Sequence, residues 1–261
     1  MRLKRSSQIM LAIIISLLVI SCGQEEKKTD DSKSADSTGT TKTDSALTPA
    51  PVATPDAVAA SPNLYKILSD TLGLRILGAD YKPGDSSAIH SHPDLAMYVI
   101  SGGSAAFGTK DGKQDKRDLV SGNAMIVPAD IHTVKNVGKT ELKVILVEVN
   151  RPMGASSSDA SMNATKVAPN LYKLIADTMG IRILKADYKP GQSSALHSHP
   201  DLAMYVISGG NAEFGTKDGK KVKRDLKSGT AMITAADIHT VKNVGKTELK
   251  VLLVEVNRPL K

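Results

Sequence analysis

The stretch GDSSAIHSHPDLAMYVISGG, residues 84–103, returns almost unchanged as GQSSALHSHPDLAMYVISGG at residues 191–210. Within it, one residue separates His90 from His92, and on a strand that spacing places both imidazoles on one face, about 6.6 Å apart. A third histidine, His132, follows forty residues later. Two imidazoles on one face of a strand, with a third that a barrel can fold back onto them, form the ligand pattern of a metal site.

The repetition extends far beyond this stretch. Residues 63–152 align without a gap to residues 170–259, a displacement of 107 positions, and about 73 of the 90 aligned residues are identical. All six histidines therefore fall into two copies of one pattern: His90, His92 and His132, then His197, His199 and His239. Most differences at apolar positions are near-isosteric exchanges, which a packed core tolerates. Because the copies are so alike, the second histidine set is not an independent observation.

Each copy has the pattern of a series of short strands. Apolar or alternating runs of strand length are separated by glycine-containing turns, which indicates an all-β sandwich or barrel rather than a helical or α/β fold. In the first copy the predicted strands are 64–68, 74–81, 96–100, 124–127 and 142–149. A copy of about 90 residues can hold one modest core, and we expect the two copies to pack together within one chain that is compatible with a monomer.

The N-terminal residues have a different character. Basic residues at positions 2, 4 and 5 precede an apolar run that ends in Val19-Ile20-Ser21-Cys22, which is the order of a secretory signal. The dozen apolar residues fall short of the roughly 20 that span a bilayer. The site resembles a bacterial lipobox, in which the cysteine becomes the lipid-modified first residue of the mature protein. By the same resemblance, Gly23 favours the outer membrane, and Gln24-Glu25-Glu26 resembles a surface-export tag.

These features predict the organisation of the chain. We expect a signal peptide at 1–21, a lipidated Cys22 with a disordered tether at 22–61, a first domain at 62–152, a linker at 153–168 and a second domain at 169–261. The tether is rich in Lys, Asp, Ser, Thr, Ala and Pro, a composition that cannot bury enough apolar surface to offset its ordering entropy. With Cys22 lipidated, no thiol remains for a disulfide or a thiolate ligand. The expected location is the cell envelope, with the chain anchored to a membrane through Cys22.

The charge of the chain argues against a nucleic-acid partner. Three basic residues of the predicted signal contribute to the formal net charge of +7, and the remaining charges alternate in sign in loops such as 109–113. The chain has no Trp and two Phe. A nucleic-acid-binding surface would need a basic stripe with interleaved aromatic residues. We therefore expect no nucleic acid among its partners.

Two motifs in order resemble those of the cupin superfamily. The first is Gly84-(x5)-His90-x-His92 with Gly102 following, and the second is Gly122-(x5)-Pro128-x-Asp130-x-His132-(x3)-Asn136. The resemblance covers both repeats, so the chain resembles a bicupin. It implies a double-stranded β-helix barrel of the jelly-roll type in each repeat, with the three histidines inside. The run at 90–103 is similar to small bacterial cupins that have no settled biochemical role.

The sequence departs from the cupin pattern at the glutamate that is usually the fourth ligand. The corresponding positions hold Leu95, Ala96 or Met97, and none of these side chains binds a metal. The nearest carboxylates are Asp94 and its copy Asp201, which follow proline and are expected to act as turn or capping residues. The second motif departs as well, with Asp130 and Asp237 where glycine is common and with Ala235 in place of Pro128.

A site of three neutral imidazoles leaves the charge of a divalent ion uncompensated and two or three coordination positions open. Such a site attracts small anionic, bidentate ligands. The expected cofactor is a divalent transition metal, namely Fe, Mn, Ni, Cu or Zn, because imidazole ligands do not discriminate among them.

The remaining pocket residues predict little chemistry. Strand alternation places four apolar residues on the inward face: Ala88, Met97, Val99 and Val134. No acid or base is visible beyond the histidines, although general acid–base catalysis requires one within hydrogen-bond reach. Tyr98 and Tyr205 are predicted to pack in the sheet. Arg75 and Arg182 are predicted either to clamp an anion or to be exposed strand residues.

Three functions remain open from the sequence. The first is an outer-membrane-tethered bicupin lipoprotein that binds or sequesters a divalent transition metal through three histidines in each repeat. The second is a metal-dependent dioxygenase or isomerase that acts on a small organic acid. The third is a non-catalytic ligand-binding or interaction module in which the histidines are relics. The residues support metal binding more firmly than catalysis.

Overall fold

The computed structural model describes residues 53–154 and 160–260. The predicted signal peptide, the lipidation site at Cys22 and the sorting residues lie outside this part of the chain. These described residues belong to one compact unit. None of the helices in the described residues is long and apolar enough to cross a membrane.

The described residues are almost entirely β, as the sequence predicts. The first repeat contains β1 (Tyr65–Thr71), β2 (Leu74–Tyr81), β3 (His90–His92), β4 (Leu95–Ser101), β5 (Gly103–Gly108), β6 (Gln114–Leu119), β7 (Ala124–Val127), β8 (Asp130–Asn136) and β9 (Leu142–Val149). The second contains β10 (Tyr172–Thr178), β11 (Ile181–Tyr188), β12 (His197–His199), β13 (Leu202–Ser208), β14 (Gly210–Thr216), β15 (Lys221–Leu226), β16 (Ala231–Thr234), β17 (Asp237–Asn243) and β18 (Leu249–Val256). A short helix precedes each repeat, α1 (Ala57–Ala60) and α2 (Ala164–Val167), and a 3₁₀ helix (Ala160–Met162) precedes α2.

Each repeat folds into two antiparallel sheets. In the first repeat the five-stranded sheet has the order β1-β2-β9-β4-β7 and the four-stranded sheet the order β3-β8-β5-β6. The second repeat has the same two orders, β10-β11-β18-β13-β16 and β12-β17-β14-β15. The long-range pairing of non-consecutive strands is that of the double-stranded β-helix barrel, so the predicted fold class is confirmed.

The inner faces of the two sheets enclose one apolar core in each repeat. In the first repeat this core includes Tyr65, Leu77, Leu95, Ala105 and Leu142, all at most 5% exposed. The second repeat has an equivalent core around the corresponding residues. Alternating side chains of one strand point to opposite faces, so the five-stranded sheets also have an outer apolar face.

The outer faces of the two five-stranded sheets pack against each other. One cluster of buried residues contains side chains from both repeats, among them Ile76 and Val147 from the first and Ile183 and Val254 from the second. Lys185 of the second repeat also donates to the carbonyl oxygen of Gly122 in the first, at 2.8 Å. These sheets are thus covered on both faces, which explains why β2 and β9 are nearly continuous apolar runs.

The folded region includes the end of the segment that the sequence assigns to the tether. Asp56 caps α1 by accepting a hydrogen bond from the backbone N–H of Ala59 at 2.9 Å, and it forms an isolated parallel β-bridge with Ser91. Ala57, the first residue of α1, is fully buried. Asn163, 107 positions later and inside the predicted linker, also caps its helix, by accepting from the backbone N–H of Thr165 at 3.1 Å, and it forms an isolated β-bridge with Ser198. The structural repeat therefore begins before residue 63, because capping residues of different type serve the same role in the two copies.

Candidate metal centres

Strands β3 and β8 bring the three histidines of the first repeat together. His90 and His92 share one face of β3, and the antiparallel register places His132 directly opposite His90. The ring centroids of the three imidazoles lie 4.8 to 5.4 Å apart, and each ring offers one nitrogen within 4.8 Å of the other two. In the second repeat, His197, His199 and His239 form the same group through β12 and β17.

Hydrogen bonds at Nδ1 orient all three rings of the first repeat. The Nδ1–H of His90 donates to the carbonyl oxygen of Ala88 at 2.8 Å, that of His92 to Oε1 of Glu148 at 2.6 Å, and that of His132 to Oδ2 of Asp130 at 3.2 Å. Because each Nδ1 carries the proton, each Nε2 keeps the lone pair through which an imidazole binds a metal. Such oxygen partners of ligating histidines fix the tautomer and the ring orientation.

A buried ion pair lies behind His92. Glu148 is fully buried and accepts from Nε of Arg75 at 2.6 Å as well as from His92. Arg75 in turn contacts Asp56, with Nη1 and Oδ2 3.3 Å apart. In the second repeat Arg182 pairs with Glu255 through Nη1, at 2.6 Å. The two arginines are therefore neither anion clamps nor exposed strand residues, because a buried carboxylate needs a positive partner.

A tyrosine hydroxyl also lies at each histidine group. The hydroxyl of Tyr65 is 3.0 Å from Nε2 of His90 and accepts from the hydroxyl of Tyr81 at 2.6 Å. Since Nδ1 of His90 carries the proton, the Tyr65 hydroxyl is the donor to Nε2. Burial raises the pKa of Tyr65 well above its usual value, so the hydroxyl is neutral. Tyr172 lies 2.8 Å from Nε2 of His197 in the second repeat.

These neighbours of the histidines were not predicted from the sequence. Glu148 does carry a signal, because an acid within the apolar run Leu146-Val147-Glu148-Val149 must be buried and therefore paired. Tyr65 carries no such signal in the sequence, because an aromatic residue at the start of a strand is most simply interpreted as a packing residue. The expectation that no titratable group besides the histidines lies within hydrogen-bond reach of the site is thus wrong, because Tyr65 and Tyr172 do.

Burial favours the neutral form of two histidines in each repeat, His90 and His132 in the first and His197 and His239 in the second. Desolvation lowers the pKa of His90 to about 4 and that of His197 to about 4. It also lowers the pKa of His132 and of His239, against the opposing effect of the neighbouring Asp130 and Asp237. A neutral imidazole is the metal-binding form. Three inward Nε2 lone pairs, each with its Nδ1 proton held by an oxygen, fit a divalent transition metal.

Asp94 and Asp201 contribute to the repeat interface and not to the histidine groups. Oδ1 of Asp94 accepts from the backbone N–H of Ala129 at 2.8 Å, and Oδ2 pairs with Nη2 of Arg258 in the other repeat at 2.7 Å. Asp201 makes the corresponding pair with Arg151 at 2.7 Å. Oδ1 of Asp94 thus has the predicted turn role, whereas Oδ2 forms an ion pair with an arginine of the other repeat.

Several apolar predictions agree with the structure. Met97 and Val134 pack in the core of the first barrel, and Tyr98 and Tyr205 pack in the cluster between the repeats. Ala88 is exposed, so its predicted inward position is wrong, because it precedes β3 and lies outside the alternation of that strand. In the second repeat a cavity of about 260 Å³ reaches the histidine group and is lined by His199, His239 and Tyr172 among mostly apolar side chains. Its volume suits a small ligand.

Comparison with known proteins finds similarity in structure but not in sequence. No protein-family model matches the chain, and no curated protein matches it in sequence. Oxalate decarboxylase from Bacillus subtilis, a protein with Mn(II) centres, superposes with a TM-score of 0.52 at 16% identity over 72% of this chain and 70% of its own. AerE from Microcystis aeruginosa superposes with a TM-score of 0.54 at 13% identity, over 74% and 91%. Both are cupin-fold proteins, so the chain has the fold of a bicupin.

Proposed function

We propose that this protein is a lipid-anchored bicupin of the cell envelope that binds one divalent transition metal in each repeat and holds a small anionic ligand there. The observation that carries the metal-binding part is the convergence of three Nε2 atoms in each repeat, with every Nδ1 proton held by an oxygen. A neutral imidazole binds a metal through Nε2 without releasing a proton.

The ligand set accounts for the proposed anion. A metal bound by three neutral imidazoles keeps its full charge and offers open positions to an anionic oxygen ligand. Burial of His90 and His92 limits water around the histidine group, and loss of water strengthens the attraction between opposite charges. The Tyr65 hydroxyl would donate to an oxygen of the ligand once Nε2 of His90 is occupied, since a buried hydroxyl donor requires an acceptor.

Elemental analysis tests the metal. A soluble form of residues 50–261 keeps Asp56 beside Arg75 and should contain two metal ions per chain. His90→Ala and His197→Ala should each contain one, because each removes a ligand from one group. A parent protein that carries no metal after both aerobic and anaerobic preparation would contradict the proposal and favour relic histidines.

The lipid anchor rests on the sequence of the N-terminal region. The basic residues, the apolar run and Val19-Ile20-Ser21-Cys22 favour lipidation of Cys22. Metabolic labelling with a radioactive fatty acid should label the parent protein, and Cys22→Ala should abolish the label. Release of the unaltered parent protein into the soluble fraction would contradict the anchor.

A second candidate function is metal-dependent catalysis on a small organic acid, as a dioxygenase or isomerase. The hydrogen bonds from the Tyr81 hydroxyl to the Tyr65 hydroxyl and from Tyr65 to His90 favour it, because they place an oriented hydrogen-bond donor at the site, where it can stabilise a developing negative charge. A screen of small carboxylic acids with metal-loaded protein tests this candidate. Turnover should fall in Tyr65→Phe and Tyr172→Phe with metal content unchanged; turnover that these variants leave intact would remove the tyrosines from the mechanism.

A further inference from the structure

The two copies of the site differ at very few positions. Nineteen residues line the cavity of the second repeat, and at seventeen of them the residue 107 positions earlier is identical. The two exceptions are Val222, which corresponds to Asp115, and Thr234, which corresponds to Val127. Both differences change the polar character of the cavity wall, and one of them removes a charge.

Residue 222 lies beside an arginine that both copies share. In the second repeat, Arg224 is directly opposite Ala212 and Val222 is opposite Phe214 on the adjacent strand. Residues directly opposite in an antiparallel pair lie on the same face of the sheet. Ala212 is fully buried in the barrel core, and the ring of Phe214 is 5.8 Å from that of His239. Arg224 and Val222 therefore lie on the face of the sheet that holds the histidines.

In the first repeat the corresponding arginine has an acidic partner. Nε of Arg117 is 2.7 Å from Oδ2 of Asp115, and its guanidinium lies over the ring of Phe107, with Cζ 5.5 Å from the ring centroid. In the second repeat Val222 takes the place of Asp115. Within residues 53–154 and 160–260, Arg224 forms no ion pair. The same arginine thus has an acidic side chain beside it in one copy, which competes with an incoming anion, and has no acidic partner in the other.

The strands that carry these arginines differ in charge as a whole. Strand β6 has two acidic and two basic residues and is neutral, whereas β15 has three basic residues and one acidic residue. One of the three, Lys221, is paired with Glu213 of β14 at 3.1 Å, so β15 together with this partner carries a net charge of +1, whereas β6 is neutral. Thr234 adds a hydroxyl donor to the cavity wall where the first repeat has the methyl groups of Val127.

We propose that the two sites have diverged, and that the second repeat holds the anion-binding site, with Arg224 as the residue that selects a ligand with a second carboxylate. This inference rests on the proposed metal binding. One carboxylate binds at the His197, His199 and His239 group. The other pairs with Arg224 on the cavity wall and accepts a hydrogen bond from the Thr234 hydroxyl. A small dicarboxylate fits both requirements: two anionic ends and a length within a cavity of about 260 Å³. In the first repeat Arg117 is already paired with Asp115, so the first site lacks an equivalent partner for a second carboxylate.

Calorimetric titration of malonate into the Zn²⁺-loaded full-length protein tests the inference, with acetate as the probe that lacks the second carboxylate. We expect one tight malonate site per chain. Arg224→Gln and Val222→Asp should weaken it about tenfold, the loss expected for one charge-assisted contact. The matched variant Arg117→Gln should leave the tight site unchanged, and Asp115→Val should create a second tight site. Acetate affinity should not respond to Arg224→Gln.

The inference is overturned if the parent protein binds two malonate ions with equal affinity, or if Arg224→Gln leaves the tight site intact. It is also overturned if Arg117→Gln and Arg224→Gln weaken binding equally. Zinc content, measured on every sample, separates this inference from the proposed function. Two zinc ions per chain without a difference between the sites contradicts the divergence alone, whereas a parent protein without zinc contradicts metal binding itself.

Discussion

At the scale of single residues, Glu148 shows how a site depends on side chains that never touch the metal. Its carboxylate receives the Nδ1 proton of His92 and the Nε proton of Arg75, both at 2.6 Å. It thereby fixes the ring of His92 and raises the basicity of its Nε2. Outer partners of this kind change metal affinity by factors of about 10–100.

We therefore expect Glu148→Gln to lower the zinc affinity of the first site about tenfold, since Gln keeps the hydrogen bond and loses the charge. Glu255→Gln should do the same to the second site. Competition with a chromophoric chelator measures both. The control is Glu141→Gln, whose exposed ion pair with Lys143 is remote from the histidines. Equal affinity in Glu148→Gln and Glu141→Gln would show that Glu148 does not support the ligand.

The depressed pKa values of His90 and His197 predict a pH dependence for the metal-free protein. Their ordinary pKa is 6.5, and in the folded chain it is about 4. Between these values the unfolded chain binds protons that the folded chain excludes. The free energy of unfolding should therefore fall as the pH is lowered from 6.5 towards 4, by about 1.4 kcal/mol per pH unit for each histidine.

Denaturant titrations at several pH values measure this slope. The double variant His90→Gln, His197→Gln should have a flatter dependence in the same window, because neither glutamine titrates. Stability of the parent protein that stays constant or rises on acidification between pH 6.5 and 4.5 would contradict the stated pKa shifts.

The sequence predicted the three histidines of each site because their spacing alone determines their common face. It could not predict Tyr65 or the link from Arg75 to Glu148. These residues come from β1, β2 and β9, whose sequence separation from His90 carries no periodic signal. Their meeting depends on the pairing of β2 with β9, which is a property of the folded barrel.

At the scale of elements, the tight turns between the first two strands of each repeat hold residues in an unusual conformation. Leu72 has a φ of 52° and Met179 a φ of 53°, each followed by a glycine with positive φ. Two consecutive residues with positive φ define a type I′ hairpin turn, for which Asn-Gly is the preferred sequence. A leucine in this region is strained by its Cβ.

Leu72→Asn should therefore stabilise the protein by about 0.5–1 kcal/mol, because asparagine adopts this conformation more readily. Met179→Asn should have a similar effect in the second repeat. The midpoint of urea unfolding measures both. Destabilisation by either variant would show that the apolar side chain contributes more packing than its backbone conformation costs.

The strands that the sequence predicted best are those with an apolar face. The predicted ranges 74–81, 124–127 and 142–149 agree with β2, β7 and β9 to the residue. Strand β6 was missed because Gln114-Asp115-Lys116-Arg117-Asp118 is polar throughout and exposed at the edge of its sheet. Strand β8 was missed because Asp130 and His132 interrupt its apolar pattern, and both serve the site.

At the scale of the whole molecule, the two repeats are joined by charged pairs as well as by apolar packing. Arg258 is 2% exposed and pairs with Asp94, and Arg151 is 3% exposed and pairs with Asp201. Removal of one partner from a buried pair leaves an uncompensated charge, which is costly.

Asp94→Asn should lower the free energy of unfolding by about 3 kcal/mol, and Asp201→Asn by a similar amount. The two effects should not add, because Arg151 and Arg258 also bind each other's carbonyl oxygens. Calorimetric melting of the metal-free protein measures the loss. The control is Asp111→Asn, whose pair with Lys113 is exposed and should matter little. A loss in Asp94→Asn no greater than in this control would contradict the role of the interface pair.

The reciprocity of these pairs has a consequence for how the molecule could have arisen. Each repeat presents an aspartate to the other's arginine and an arginine to the other's aspartate, which is the two-fold arrangement of an isologous homodimer. The interface is one that a single-repeat ancestor could have formed with a second copy of itself. Fusion of two such copies into one polypeptide removes the requirement that both halves keep the same sequence. The residues that line one site can then change while those that line the other stay the same.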